Sequence, residues 1–251
     1  MSGARAEALR AILEAHAAGE MGIEQATQAL RGAFEHDLGF ARIDADRASR
    51  RGFPEVVYGA GKTVEQLVAI MRTLGAAHPN VLCTRVESQA GEALMQEVDD
   101  VRYDPLAKLA YLHRDTSTAG LGPIGVVAAG TSDGPVAQEA ARCAEVMGNE
   151  VRRWTDVGVA GLHRLLGVLD EIREARVVIT VAGMEAALPS VLAGLLSRPV
   201  VSIPTSVGYG ASFDGLAALL SSLTACSPGV VTVNIDNGFG AAYAATLMNR
   251  A

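Results

Sequence analysis

Beyond residue 122 the chain alternates short apolar runs with longer stretches whose apolar residues recur at helical spacing. The runs near 124–129, 150–154, 177–182, 200–203 and 230–235 read as strands, and the stretches near 135–147, 161–174, 184–196, 213–224 and 238–249 as helices. Apolar strands separated by amphipathic helices pair in parallel through right-handed crossovers. This half therefore predicts a three-layer, doubly wound α/β domain with helices on both faces of a parallel sheet. The first half is patterned differently. Leu9, Ile12 and Leu13, then Ile23, Ala26 and Leu30, recur at helical spacing with Gly19 as the break, which predicts a helical hairpin over 4–34. Between 53 and 114, strand-like runs (55–58, 81–86) mix with helical ones (64–74, 91–98), a smaller α/β region. We place the division at residues 1–121 and 122–251, beside Leu121-Gly122-Pro123.

Composition narrows the function classes. With 251 residues, 49% of them hydrophobic, the chain has ample material for a core. A formal charge of -7 argues against nonspecific binding to nucleic acid or an anionic membrane. Cys83, Cys143 and Cys226 are far apart and form no CxxC pair, so neither a disulfide framework nor a zinc ribbon is indicated. No run approaches the roughly 18 apolar residues of a spanning helix, and the first ten residues lack a signal-peptide pattern, which predicts a cytoplasmic protein. The 27 glycines and only five phenylalanines suggest close packing around ligands or neighbouring subunits rather than an aromatic core.

The candidate chemistry lies mostly where strands end. Strand 124–129 runs into Gly130-Thr131-Ser132-Asp133-Gly134-Pro135, where Pro135 suits a first helical position and Ser132 or Asp133 the cap. Such a helix start is either an ordinary cap or a cradle for a phosphate or ribose. His163 and Arg164 open a helix after Gly158-Val159-Ala160-Gly161 and offer a proton carrier and an anion fork, or simply a solvated face. Glu185 follows strand 177–182 in what reads as the first turn of a helix, as a dipole-favoured carboxylate or as a general base or metal ligand. Thr205, Ser206 and Tyr209 place hydroxyls in a glycine-rich loop, and Asn234 and Asp236 follow the last strand. Gly59-Ala60-Gly61-Lys62-Thr63 imitates a P-loop, but Val56 stands where its first glycine belongs. Thr63 then reads as a helix cap, and Lys62 as a nucleotide contact at most. Cys226, in Ala225-Cys226-Ser227-Pro228-Gly229, is either a buried small hydrophobe or a nucleophile at a turn leading into a strand.

These segments, with Val181-Ala182-Gly183-Met184-Glu185-Ala186, Pro204-Thr205-Ser206-Val207-Gly208-Tyr209-Gly210 and Asn234-Ile235-Asp236-Asn237-Gly238, resemble the LarB family of nickel-pincer nucleotide cofactor biosynthesis. The resemblance is dense from about residue 53 to 242. Over about 122–248 the chain is also similar to the aminoimidazole ribonucleotide carboxylases, although Gly161-Leu162 stands where those carry Ser-Ala.

The LarB resemblance implies carboxylation of the pyridinium ring of nicotinic acid adenine dinucleotide at C5, from carbon dioxide or bicarbonate. Mg²⁺-assisted phosphoanhydride hydrolysis would accompany it, releasing AMP and pyridinium-3,5-biscarboxylic acid mononucleotide. It implies Cys226 as nucleophile, Glu185 or His163 as proton acceptor, and substrate contacts from Ser132, Asp133, Arg164, Thr205, Ser206, Tyr209, Asn234, Asp236 and Lys62. The negative end of a preceding helix disfavours a thiolate at Cys226. A pyridinium charge about 4 Å away, worth roughly 4 kcal/mol at an effective dielectric near 20, outweighs that. No organic cofactor is implied, no particular residues are implied as metal ligands, and the octameric carboxylases suggest a homo-octamer with sites at subunit contacts. The alternatives are an aminoimidazole ribonucleotide carboxylase or mutase, and a non-catalytic nucleotide-binding regulator.

Overall fold

The computed structural model describes residues 3–250, which fall into two compact units. The first comprises residues up to 103 together with 110–114; the second takes 104–109 and everything from Asp115 on.

The first unit opens with helices α1 (Gly3–Ala17) and α2 (Ile23–Phe34), as the hairpin pattern predicts, and continues through a short antiparallel ribbon, β1 (Glu35–Asp37) and β2 (Arg42–Asp44). After α3 (Arg47–Arg51) come β3 (Val57–Tyr58), α4 (Val64–Ala77), β4 (Asn80–Thr84), α5 (Ser88–Glu97), β5 (Arg102–Asp104) and β6 (Leu109–His113), giving a mixed sheet in the order β3-β4-β6-β5. Leu67, Ile70, Met71 and Leu74 recur at helical spacing on α4 and bury one face against Val81, Cys83 and Leu112. Thr63 caps this helix in a full capping box with Gln66, and Lys62 Nζ donates to Tyr58 O at 2.7 Å. The P-loop-like segment is thus a capped helix start, as its failed spacing implies. Gly59 is required there, because a Cβ would lie 2.8 Å from Thr84 O.

The second unit is the predicted doubly wound domain. Strands β7 (Ile124–Ala128), β8 (Val151–Trp154), β9 (Val177–Ala182), β10 (Val200–Pro204) and β11 (Val230–Thr232) form one wholly parallel sheet in the order β11-β10-β9-β7-β8. Its crossovers carry α6 (Gly134–Val146), then α7 (Leu162–Gly167) with α8 (Leu169–Arg173), α9 (Ala187–Leu195), α10 (Leu216–Leu223) and the final α11 (Gly238–Arg250). Helices α6 and α11 pack together through small buried side chains, among them Ala137, Ala140 and Ala144 on one and Ala241, Ala242 and Ala245 on the other. On the opposite face Trp154, Leu165, Leu169, Ile172, Leu188, Leu192 and Ala218 bury the sheet. All six residues of β9 are buried at the centre.

Several boundaries differ from the sequence reading, each for a local reason. The helix expected over 161–174 breaks at Val168, whose backbone leaves helical geometry and caps both pieces. The last strand is three half-exposed residues at the sheet edge rather than a buried six, because it has a neighbour on one side only. The helices expected from 184 and 213 begin at Ala187 and Leu216, after left-handed residues at Met184, Ala186, Phe213 and Asp214. Among the described residues no helix is long and apolar enough to cross a membrane.

Candidate functional site

In this strand order the chain leaves β7 in opposite directions, first toward β8 and then, by the next crossover, to β9. The loops that follow these strands diverge at their carboxyl ends and leave a crevice between them, where open α/β sheets take ligands. Asp133 ends the short turn that follows β7. This side chain is 3% exposed, and its carboxylate accepts from Gly130 N at 2.9 Å and from Thr205 Oγ1 at 2.7 Å, with the Gly183 backbone amide as a further donor. It therefore turns back toward its own loop and makes no capping bond to α6, in contrast to the ordinary cap the sequence allowed. Burial raises its pKa above the ordinary 3.8, the three hydrogen bonds pull it down, and the neighbouring Asp236 pushes it up again. Ser132, on the same short turn, faces solvent.

Glu185 lies at the tip of the turn after β9, before α9 rather than in its first turn. Met184 and Ala186 flank it at φ 53° and 46°, a left-handed geometry costly for residues with a Cβ and characteristic of sites where a side chain must be aimed. The turn is locked from beneath: Met184 N donates to Val207 O at 2.8 Å, and a Cβ on Gly183 would meet that same oxygen at 2.2 Å. The Glu185 side chain is exposed and makes no hydrogen bond or ion pair among the described residues.

The loops after β10 and β11 close the arrangement. Thr205 is fully buried behind Asp133, and Ser206 N donates to Asp236 Oδ1 at 2.9 Å, while Asp236 N returns a bond to Pro204 O. Asn234 uses its side-chain oxygen locally, accepting from Ile235 N, and Tyr209 stands 80% exposed. After β8, Val157 N donates to Ala128 O, and Gly158 lies so close that a Cβ would be 2.8 Å from Ala129 O. This seats His163 and Arg164 at the same edge. Both are exposed, and Arg164 pairs with Asp156 at 2.5 Å. A Cβ on Gly161 would crowd the Arg164 guanidinium at 2.5 Å, so the glycine standing where the purine carboxylases carry serine leaves room for this folded-back arginine.

Two family models match the chain: a LarB/PurE-like N-terminal domain over residues 35–114 and AIR carboxylase over 123–250. A Methanocaldococcus jannaschii protein described as uncharacterized protein MJ0165 is 40% identical over 217 residues, covering 82% of this chain and 83% of that one. This chain belongs to the LarB family. The N5-carboxyaminoimidazole ribonucleotide mutase of the same organism is 38% identical over 125 residues, 48% of this chain and 74% of its own, a likeness limited to part of the chain. The LarB architecture of an N-terminal module and an AIR-carboxylase-like half supports an enzyme of the carboxylase type.

Within this LarB chain the candidate residues do not all meet. Ser132, Asp133, His163, Arg164, Glu185, Thr205, Ser206, Tyr209, Asn234 and Asp236 share the carboxyl edge. Lys62 belongs to the first unit. Cys226 precedes β11 and so lies at the amino edge, where Ser227 Oγ donates to Ser190 O and Val200 N donates to Gly229 O. The five residue steps from Val200 to Thr205 alone separate the two edges by about 16 Å at 3.3 Å per residue. Cys226 is exposed, whereas burial pushes Cys83 up to about 12 and Cys143 well above the ordinary thiol value. Among the described residues there is no group of three or more His, Cys, Asp or Glu side chains placed to hold a metal ion.

Asp156 and Glu139 escaped the sequence reading. Glu139 is 5% exposed and accepts from Gly238 N at 3.0 Å, anchoring the start of α11 from within α6. A carboxylate set among Ala137, Ala140 and Ala141 in an amphipathic helix was the available signal.

Proposed function

We propose that the protein carboxylates C5 of the pyridinium ring of nicotinic acid adenine dinucleotide and hydrolyses its phosphoanhydride, yielding pyridinium-3,5-biscarboxylic acid mononucleotide and AMP. The observation that carries the reading is Glu185, an unpaired carboxylate on a strained, locked turn in the crevice of a LarB-family fold. A cationic pyridinium is too electron-poor to attack carbon dioxide. Addition of a thiolate at C6 turns it into a neutral dienamine whose C5 is nucleophilic. C5 then bonds to carbon dioxide, loss of the C5 proton to Glu185 or His163 restores the diene, and the nitrogen lone pair expels the thiolate. Carbon dioxide enters, one proton leaves, and nothing is oxidised.

Cys226 supplies the thiol from a neighbouring subunit, because its own crevice lies at the far edge of the sheet. A homo-octamer with sites at subunit contacts meets that requirement. Asp133 and Ser132 take the ribose and phosphate side, Arg164 exchanges Asp156 for a substrate anion, and Ser206, Tyr209, Asn234 and Asp236 line the remainder, with Thr205 supporting Asp133 from behind. Mg²⁺ would supply charge neutralisation at the phosphoanhydride for its hydrolysis. The likeness to the mutase favours a second reading, carboxyl transfer on an aminoimidazole ribonucleotide, whose substrate is already an enamine and needs no thiol. Incubation with the dinucleotide, labelled bicarbonate and Mg²⁺, followed by mass analysis, separates the two. Label in a pyridinium mononucleotide is expected; label only in an aminoimidazole ribonucleotide overturns the proposal.

A further inference from the structure

Helices α6 and α11 pack so closely that Gly238, the first residue of α11, admits no side chain. A Cβ there would lie 2.6 Å from Glu139 Oε2, 2.8 Å from Val136 O and 2.9 Å from Ala140 N. The residue before it, Asn237, caps the helix: its Oδ1 accepts from Gly240 N at 2.8 Å. Packing and capping together thus dictate Asn-Gly. In this dipeptide the side-chain amide is open to attack by the next backbone nitrogen, because glycine has no side chain to obstruct the approach. Glu139, 5% exposed, faces the junction and accepts from Gly238 N at 3.0 Å, and no step of the proposed reaction uses it.

We propose that Asn237 is a site of self-modification held in check by Glu139. In the unchecked reaction Gly238 N gives up its proton and bonds to Asn237 Cγ, and the side-chain nitrogen leaves as ammonia, closing a succinimide. Water then opens the ring to aspartate or, with the chain rerouted through Cβ, to isoaspartate. Water is consumed, ammonia is released and nothing is oxidised. Glu139 opposes the first step in two ways. Its hydrogen bond holds the attacking nitrogen against α6, and its negative charge, felt also by the neighbouring Cys143 thiol, disfavours the amide anion that attack requires. The bond from Gly240 N meanwhile keeps the Asn237 amide in its capping position. The junction adjoins the crevice: Asp236 N donates to Pro204 O and Asp236 Oδ1 accepts from Ser206 N, each at 2.9 Å. An isoaspartyl link inserts one backbone carbon directly after Asp236, which breaks the register between these bonds and α11. None of this depends on which reaction the crevice performs.

The test ages full-length protein in warm, mildly alkaline buffer and follows the mass gain of one dalton on the peptide that carries Asn237. Wild type should convert at least about tenfold more slowly than Glu139→Ala, the factor that one hydrogen bond to a charged group supplies. Glu139→Gln, which keeps an acceptor without the charge, should fall between them. Leu192→Ala opens a cavity on the opposite face of the sheet, controls for general loosening, and should convert more slowly than Glu139→Ala. Equal rates in wild type and both Glu139 variants, or acceleration by Leu192→Ala to the Glu139→Ala rate, overturn the role of Glu139. If Glu139→Ala does not fold, Glu139→Gln carries the comparison alone, and conversion at the wild-type rate overturns it. Aged wild type should also exchange the Ser206 amide proton faster than fresh protein, whereas aged Asn237→Ser, whose hydroxyl still caps α11, should not. Unchanged exchange at Ser206 in converted protein overturns the link to the crevice.

Discussion

At the carboxyl edge of the parallel sheet, loops from β7, β10 and β11 are tied by bonds among Gly130, Asp133, Thr205, Ser206 and Asp236. At the amino edge the Cys226 loop is exposed and held through Ser227 to α9. The difference follows from topology. A parallel sheet sends every strand-to-helix loop to one edge and every helix-to-strand loop to the other, so residues close in function can face apart in one chain. Under the proposed reaction, a nucleophile on the return loop would come from a second subunit, while acid, base and anion contacts would be pre-organised within the first.

Replacing groups at either edge should separate chemistry from architecture. The largest effect is expected from Cys226→Ser, which should lower labelled-carbon incorporation by at least about 10³-fold while leaving dinucleotide affinity in calorimetry nearly unchanged, since a hydroxyl is nearly isosteric but a far weaker nucleophile. The wild type given substrate without carbon dioxide should show a dihydropyridine absorbance that this variant lacks. Cys83→Ser should keep the activity, because its thiol is buried in β4. Near-normal incorporation by Cys226→Ser would favour the mutase-type reaction.

Arg164→Ala comes next, weakening dinucleotide binding by about 1.5–3 kcal/mol, the range for a hydrogen bond to a charged group. Its exposed pair with Asp156 is worth at most about 1 kcal/mol of folding stability, so binding should fall with little change in melting temperature. Unchanged binding would remove Arg164 from the site. Gly183→Ala probes the locked turn. Its new Cβ meets backbone at Val207, which should cost about 1–3 kcal/mol in denaturant unfolding and displace Glu185, so a variant as stable and active as wild type would show the turn to be slack.

The smallest effect concerns pH. Because burial raises Asp133 above 3.8, its contribution to stability is full below that value and is lost as pH rises through the higher folded one. Asp133→Asn should therefore gain in urea midpoint relative to wild type as pH rises above about 4, the difference growing until the raised folded value is passed. A constant difference would mean that the carboxylate is not desolvated.

Much of this was legible beforehand. The alternation of apolar runs sufficed for the parallel sheet because buried strands such as β9 carry an unmistakable signal, and the glycine-rich loops marked the carboxyl edge. Edge strand β11, with neighbours on one side only, carries a weaker signal, and its end was misplaced. Glu185 follows a strand where the apolar spacing reads as a helix start; the close approach of Val207 to Gly183, a contact distant in sequence, makes a turn there instead. The placement of Cys226 was not legible as proximity, because a short motif does not say at which end of the sheet its loop emerges.

Complementation between subunits tests the central claim most directly. Cys226→Ser and Glu185→Gln chains, each inactive alone, would be coexpressed with different tags, purified as hybrids and assayed for labelled-carbon incorporation. If thiol and carboxylate come from different chains, randomly mixed pairs should recover roughly a quarter of wild-type activity, since half the pairs are mixed and each of those holds one intact site of two. Hybrids as inactive as their parents would contradict the account.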